Sequence, residues 1–271
     1  MEVFAQTNLQ LYNQLRRQGR SDEELRLVRA AYELACVVYS GYFGPDRRPF
    51  VTHVVGVASI LASAGQPAQI VAAGALHNVY GNADFGDGLS KAAPERRRRR
   101  VRAAVGPEVE DIVYRFHLHR VAPAADAGYR HRLERLAQTD MQVLLLELAD
   151  MAEKHVDLGV LYYGDGAWVQ DATHRHGEFL VAFARRVGQP ALATAIEDGI
   201  AQVAADPGLS PALRAPKERK HRTLVVPQSC RRRLWPIVAE GWVWLSRPSG
   251  WPRTFRRLKG RFTKMAWSRP I

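Results

Sequence analysis

The sequence predicts an all-α protein, and three observations carry that expectation. Apolar residues recur at helical spacing through most of residues 1–206, and no convincing run alternates as a strand would. Gly and Pro interrupt the pattern at intervals that suit helices of ordinary length. With 271 residues, 46% hydrophobic and 24% charged, the chain can bury one substantial core. No internal repeat of solenoid length is visible.

Residues 3–18 have Phe4, Leu9, Leu11, Tyr12 and Leu15 on one side of a helix. Ser21-Asp22-Glu23-Glu24 is a capping box that opens a helix to about Tyr39. Its apolar face carries Leu25, Val28, Ala31, Leu34 and Val38, and Cys36 reads as a core residue. Gly41 to Pro49 is a loop whose Arg47 and Arg48 are either phosphate contacts or solvated loop charges. The next helix shows an apolar stripe of Val54, Val57, Ile60 and Leu61. After a break at Gly65-Gln66-Pro67 a second shows Ile70, Ala73, Leu76 and Val79. Gly81 to Ala93 is a Gly- and Asp-rich loop.

Pro94 starts a helix in which Arg96 to Arg100 point all round, either solvated or touching an anion. Gly106-Pro107 starts another, with Val109, Ile112, Val113 and Phe116 inward and His117-Leu118-His119-Arg120 at its end. Residues 121–128 form a loop and Tyr129 to Leu136 a short helix, after which Thr139-Asp140 caps the apolar helix bearing Asp150. His155, Asp157, His174 and His176 are expected at the surface. Gly164 to Gly166 precedes a helix to about Val187, and Gln189-Pro190 opens a last one to about Ala205.

His53 and His77 lie 24 residues apart, each on an apolar helical pattern. Two antiparallel helices would bring their imidazoles to a shared point, half a coordination sphere for Mn²⁺, Fe²⁺ or Zn²⁺. Asn78 and Asp150 are the candidates for oxygen ligands. A carboxylate that follows Leu144, Leu145, Leu146 and Leu148 needs a partner if it is buried. Glu147 and Lys154 are close enough in sequence to support it. The competing explanation is a pair of ordinary core histidines.

The order His53…His77-Asn78…Asp150 resembles the HD superfamily of metal-dependent phosphohydrolases, whose signature is His…His-Asp…Asp on a helical bundle. It is nearest to the hydrolase domains of Rel/SpoT-type guanosine-tetraphosphate enzymes. The matching pieces are Arg47-Arg48-Pro49-Phe50-Val51-Thr52-His53, Ala75-Leu76-His77-Asn78 and Leu148-Ala149-Asp150. YGNADF and VGPEVEDIVYRF further resemble uncharacterised HD-like bacterial proteins. The resemblance covers about residues 25–160 and implies one divalent metal held by His53, His77, Asn78 and Asp150. It also implies a phosphorylated small-molecule substrate, a nucleotide among the candidates, contacted by Arg47, Arg48, His117 and Arg120.

Two departures qualify it. Asn78 replaces an aspartate, so a neutral carbonyl stands where an anion would bridge a metal pair. Gly81-Asn82 stands where the Rel/SpoT enzymes carry Glu-Asp, which leaves Asp84 and Asp87 as imperfect substitutes, Asp84 the better general base, and makes tetraphosphate hydrolysis a poor match. A mononuclear hydrolase and a non-catalytic binding module both stay open. An HD-type iron oxygenase is the third reading, with His117 or His119 as an added ligand; the i, i+2 spacing lets only one of them face a common metal.

The net charge of +12 is uneven. Residues 211–271 hold 16 Lys/Arg and 2 Asp/Glu, so the rest of the chain is nearly neutral. Five of the six tryptophans and repeated prolines also fall after residue 206, which divides the chain into a body at 1–206 and a basic, Trp- and Pro-rich extension at 207–271. Such an extension packs on the body, meets an anionic lipid surface, or binds nucleic acid. Cys36 and Cys230 make no metal-spacing motif, and no signal peptide or membrane span is evident. The expectation is a cytoplasmic protein, with a peripheral membrane contact through the extension as a variant.

Overall fold

The computed structural model describes residues 4–89, 91–121, 128–163, 167–206, 208–213 and 223–224. The chain divides into Met1–Leu224 and Val225–Ile271, and the second unit lies outside the described residues, as do the tryptophans and all the lysines and arginines of the extension.

The first unit is a helical bundle. α1 (Asn8–Arg17) and α2 (Asp22–Tyr39) each begin with a complete capping box, Thr7 with Gln10 and Ser21 with Glu24. Leu11 and Leu15 are buried on α1, whereas Leu9 is exposed. Cys36, expected in the core, is only half-buried. β1 (Tyr42–Phe43) pairs antiparallel with β2 (Thr223–Leu224), which returns the chain to the loop carrying Arg47 and Arg48.

α3 (Phe50–Ser63) and α4 (Ala68–Leu76) form the inner hairpin, and all eight residues of the two predicted stripes are buried. The helices approach closely at Gly74, where a Cβ would come 2.6 Å from Leu61 and 3.4 Å from the Ala58 backbone. A short α5 (Val79–Asn82) leads into the Gly/Asp-rich loop. α6 (Glu95–Val121) is broken at Gly106, whose φ of 84° a side chain would oppose. The two halves are the two helices that Pro94 and Gly106-Pro107 predict.

α7 (Tyr129–Thr139) precedes α8 (Met141–Glu153), whose first turn is capped by Asp140 accepting from the Val143 N–H at 3.2 Å. α8 is buried on nearly every side, packing against α3, α6, α7 and α10. It stops at Glu153, and Val156–Tyr163 is a 3₁₀ segment, α6-like in having a break, with Asp157 and Leu158 at positive φ. α9 (Ala167–Arg186) and α10 (Pro190–Ala205) pack on each other, and α10 also packs on α8.

Two surface expectations fail. His155 is buried, its Nδ1 on the Met151 carbonyl at 3.0 Å and its Cβ so close to α10 that a Cβ on Gly199 would come within 2.7 Å of it. His176 is half-buried with its ring 5.3 Å from that of Tyr129, while the His174 side chain lies outside what is described. Among the described residues no helix is long and apolar enough to cross a membrane.

Candidate metal centre

The hairpin and α8 bring three distant residues together. His53 sits on the first turn of α3 and His77 follows the last turn of α4, so the antiparallel arrangement puts them at the same end. Asp150 approaches from the last turn of α8. Their ligating atoms all lie within 4.8 Å of one another, and the imidazole centroids are 5.3 Å apart.

Each ring is held by its Nδ1. His77 donates from Nδ1 to the Gly74 carbonyl at 2.7 Å, and His53 Nδ1 meets the Glu153 carboxylate. Both Nε2 atoms therefore turn toward Asp150 Oδ1, at 3.2 Å from His53 and 3.6 Å from His77. Asp150 Oδ2 is paired with Lys154 at 2.8 Å and Arg120 at 3.1 Å. Oδ1 is fully buried yet makes no hydrogen bond of acceptable geometry.

Burial alone would raise the Asp150 pKa. Lys154, the two imidazoles and Arg120 reverse that and hold it well below the ordinary carboxylate value. Burial also disfavours the charged form of His53, but Glu153 and Asp150 outweigh it and lift this group to about 9. His77 goes the other way, pushed down chiefly by burial.

The donors fit a divalent cation. Two imidazole nitrogens and an ionised carboxylate are ligands that Zn²⁺, Mn²⁺ and Fe²⁺ accept, and Oδ1, buried without a hydrogen bond, is the atom such an ion would satisfy. Asn78 lies beside them, its Nδ2 2.6 Å from His77 Nε2. A half-turn of the amide would present Oδ1 at the same place, since the two ends have the same shape.

A cavity of about 440 Å³ opens onto this corner, lined by His77, Asn78, Asn82, Lys91, His117 and Arg120 among others. His117 and Arg120 are thus brought to the site, and burial lowers the His117 pKa, favouring the neutral ring. His119 does not line the cavity, as the i, i+2 argument requires. Arg120, about two-fifths exposed, bridges Asp150 and Glu147.

Three predicted residues are placed elsewhere. Arg47 is exposed in a turn with φ of 71°. Arg48 faces inward, where Asp46, Gln6 and Glu153 take its guanidinium, so phosphate does not meet it at the cavity. Asp84 is exposed, absent from the cavity wall, and accepts from the Gly86 N–H at 2.7 Å.

Sequence reasoning missed two residues. Glu153 stands three positions after Asp150, hence on the same face of α8, and that spacing was the available signal. Lys91 comes from the loop and had none. Residues 44–120 match a domain of unknown function (DUF6817). That match takes in His53, His77, Asn78, Lys91, His117 and Arg120 and stops short of Asp150. No curated protein matches the chain.

Proposed function

We propose that this chain is an HD-like metal-dependent hydrolase acting on a phosphorylated small molecule, with nucleotides among the candidate substrates. The observation that carries the reading is the buried Asp150 Oδ1, which faces two imidazoles without a hydrogen bond; one of these, His77, lines a cavity that Lys91 and Arg120 also line. His53, His77 and Asp150 would hold the ion, with Asn78 beside them as a neutral oxygen donor. When bound, the ion supplies a Lewis acid and a water of lowered pKa.

The chain's own residues do the rest. Lys91 and Arg120 line the cavity with basic side chains and offset phosphate charge. His117, kept neutral by burial, is the cavity residue able to take a proton from water or return one to a leaving group. That role moves to His117 from Asp84, which has no place in the cavity wall. Residues 207–271 would add an anionic partner, lipid or nucleic acid.

One observation favours a second reading, a non-catalytic binding module. Arg120 and Lys154 already neutralise Asp150, and Asn78 contributes no charge, so the cation would meet a weakly anionic site.

Elemental analysis of protein purified without chelator, followed by a phosphorylated-metabolite screen with Mn²⁺, Fe²⁺ and Zn²⁺, separates the two. The hydrolase predicts about one equivalent of metal and phosphate release, both lost in His53→Ala. Full metal stoichiometry in that variant would refute the ligand assignment. Metal below about a tenth of an equivalent in the parent would favour the module.

A further inference from the structure

We infer that Glu153 is a positioning residue for the metal centre: its carboxylate fixes the ring of His53 with Nδ1 engaged, so that Nε2 faces the cation. The inference rests on the metal reading above. A free imidazole can present either nitrogen to an ion, and a hydrogen bond to one of them decides which. In His77 a neutral backbone carbonyl makes that choice. In His53 a carboxylate makes it, which also raises the basicity of the coordinating nitrogen.

The arrangement is built around Glu153 from three sides. The side chain is fully buried, where an unpaired carboxylate would be costly. Arg48 answers it with Nη1 at 2.8 Å from Oε1 and Nη2 at 3.4 Å from Oε2. Arg48 is in turn held by Asp46 Oδ2 at 2.6 Å and by Gln6 Oε1 at 3.0 Å. One turn beyond His53, α3 is hollowed at Gly56, where a Cβ would come 2.7 Å from Glu153 Cγ. At Gly159 a Cβ would come 3.2 Å from Arg48 Nη2. A carboxylate serving only to tie α8 to the Arg48 loop would have no need to touch His53.

The test uses the full chain and zinc chloride alone, with two readouts. Calorimetric titration should give Glu153→Gln, which keeps the shape and loses the charge, about 10–100-fold weaker zinc binding than the parent. Because Glu153→Gln removes one of the two carboxylates that Arg48 meets, the double variant Glu153→Gln/Arg48→Met is measured beside it and should show the same loss with a parent-like melting curve. Zinc affinity within about twofold of the parent in the folded double variant would overturn the inference. The second readout is ¹⁵N-edited NMR of the metal-free parent, where the His53 Nδ1 proton should exchange slowly and become fast-exchanging in Glu153→Ala, which removes the acceptor. If the parent takes no zinc, the metal reading falls. The NMR then decides whether Glu153 orients His53, and a fast-exchanging Nδ1 proton in the parent would overturn that too.

Discussion

Two corners of the bundle bury charge, and they finish the job differently. At the start of α6, Arg97 is buried and uses its guanidinium on Asp87, the Leu89 and Ala92 carbonyls and the face of Phe85. Nearby, buried Glu110 accepts from Arg98 at 2.7 and 3.0 Å, from Arg102 at 3.3 Å and from the Tyr80 hydroxyl at 2.8 Å. Both oxygens are answered. At the histidine corner the charges are as deeply buried, but Asp150 Oδ1 is left without a hydrogen bond. A matched cluster is complete as folded and serves the fold. An unmatched one costs stability unless something fills it.

The comparison breaks most visibly if the matched corner is opened. Replacing Glu110 with Gln leaves Arg98 and Arg102 without their buried anion. Urea unfolding should show a loss of about 3 kcal/mol, while zinc affinity of the folded fraction stays unchanged. A variant of parental stability would mean that the Glu110 cluster is not what secures the broken α6. A variant with lost zinc binding would mean that the two corners are coupled.

A smaller effect is expected from sharpening the unmatched corner. Asn78→Asp places a second carboxylate beside His77 Nε2 and should tighten zinc binding on the order of tenfold. The same change brings two carboxylates together in the metal-free protein, so its melting temperature should fall and then recover when zinc is added. Weaker zinc binding in calorimetry would remove Asn78 from the coordination shell.

Much of this was legible in the sequence, for physical reasons that differ by residue. The hairpin of α3 and α4 was readable because uninterrupted apolar periodicity and the Gly65-Gln66-Pro67 break leave few other folds. His53, His77 and Asp150 were readable because polar groups on such helices must meet one another. Arg48 was misplaced because a loop arginine beside a histidine looks solvent-facing until its partner is known, and Glu153 lies 105 residues away. The arginine run was hard for the same reason. Five adjacent arginines do point all round, but Arg97 goes inward because Asp87, ten residues earlier, waits there. His155 looked exposed in a polar stretch; its burial depends on α10, where Gly199 leaves the room.

His155 also offers the smallest and most selective test of the contrast. It is buried and satisfied as a neutral ring, with burial the main cause of a pKa below the ordinary 6.5; the Met151 carbonyl and Glu153 pull weakly upward and Lys154 downward. His53 has the opposite shift, to about 9. A histidine whose folded pKa is depressed resists protonation while the unfolded chain accepts it. Its contribution is therefore intact above about 6.5 and is lost as the pH falls from there through the folded value. Urea midpoints measured from pH 7.5 down to pH 5 should decline in the parent and decline less steeply in His155→Asn, whose amide can still donate to Met151. Some slope should persist in the variant, because burial also lowers His77, His117 and His119, while His53, raised to about 9, works in the opposite sense in both proteins. An unchanged slope would mean that His155 titrates normally and that the end of α8 is open to water.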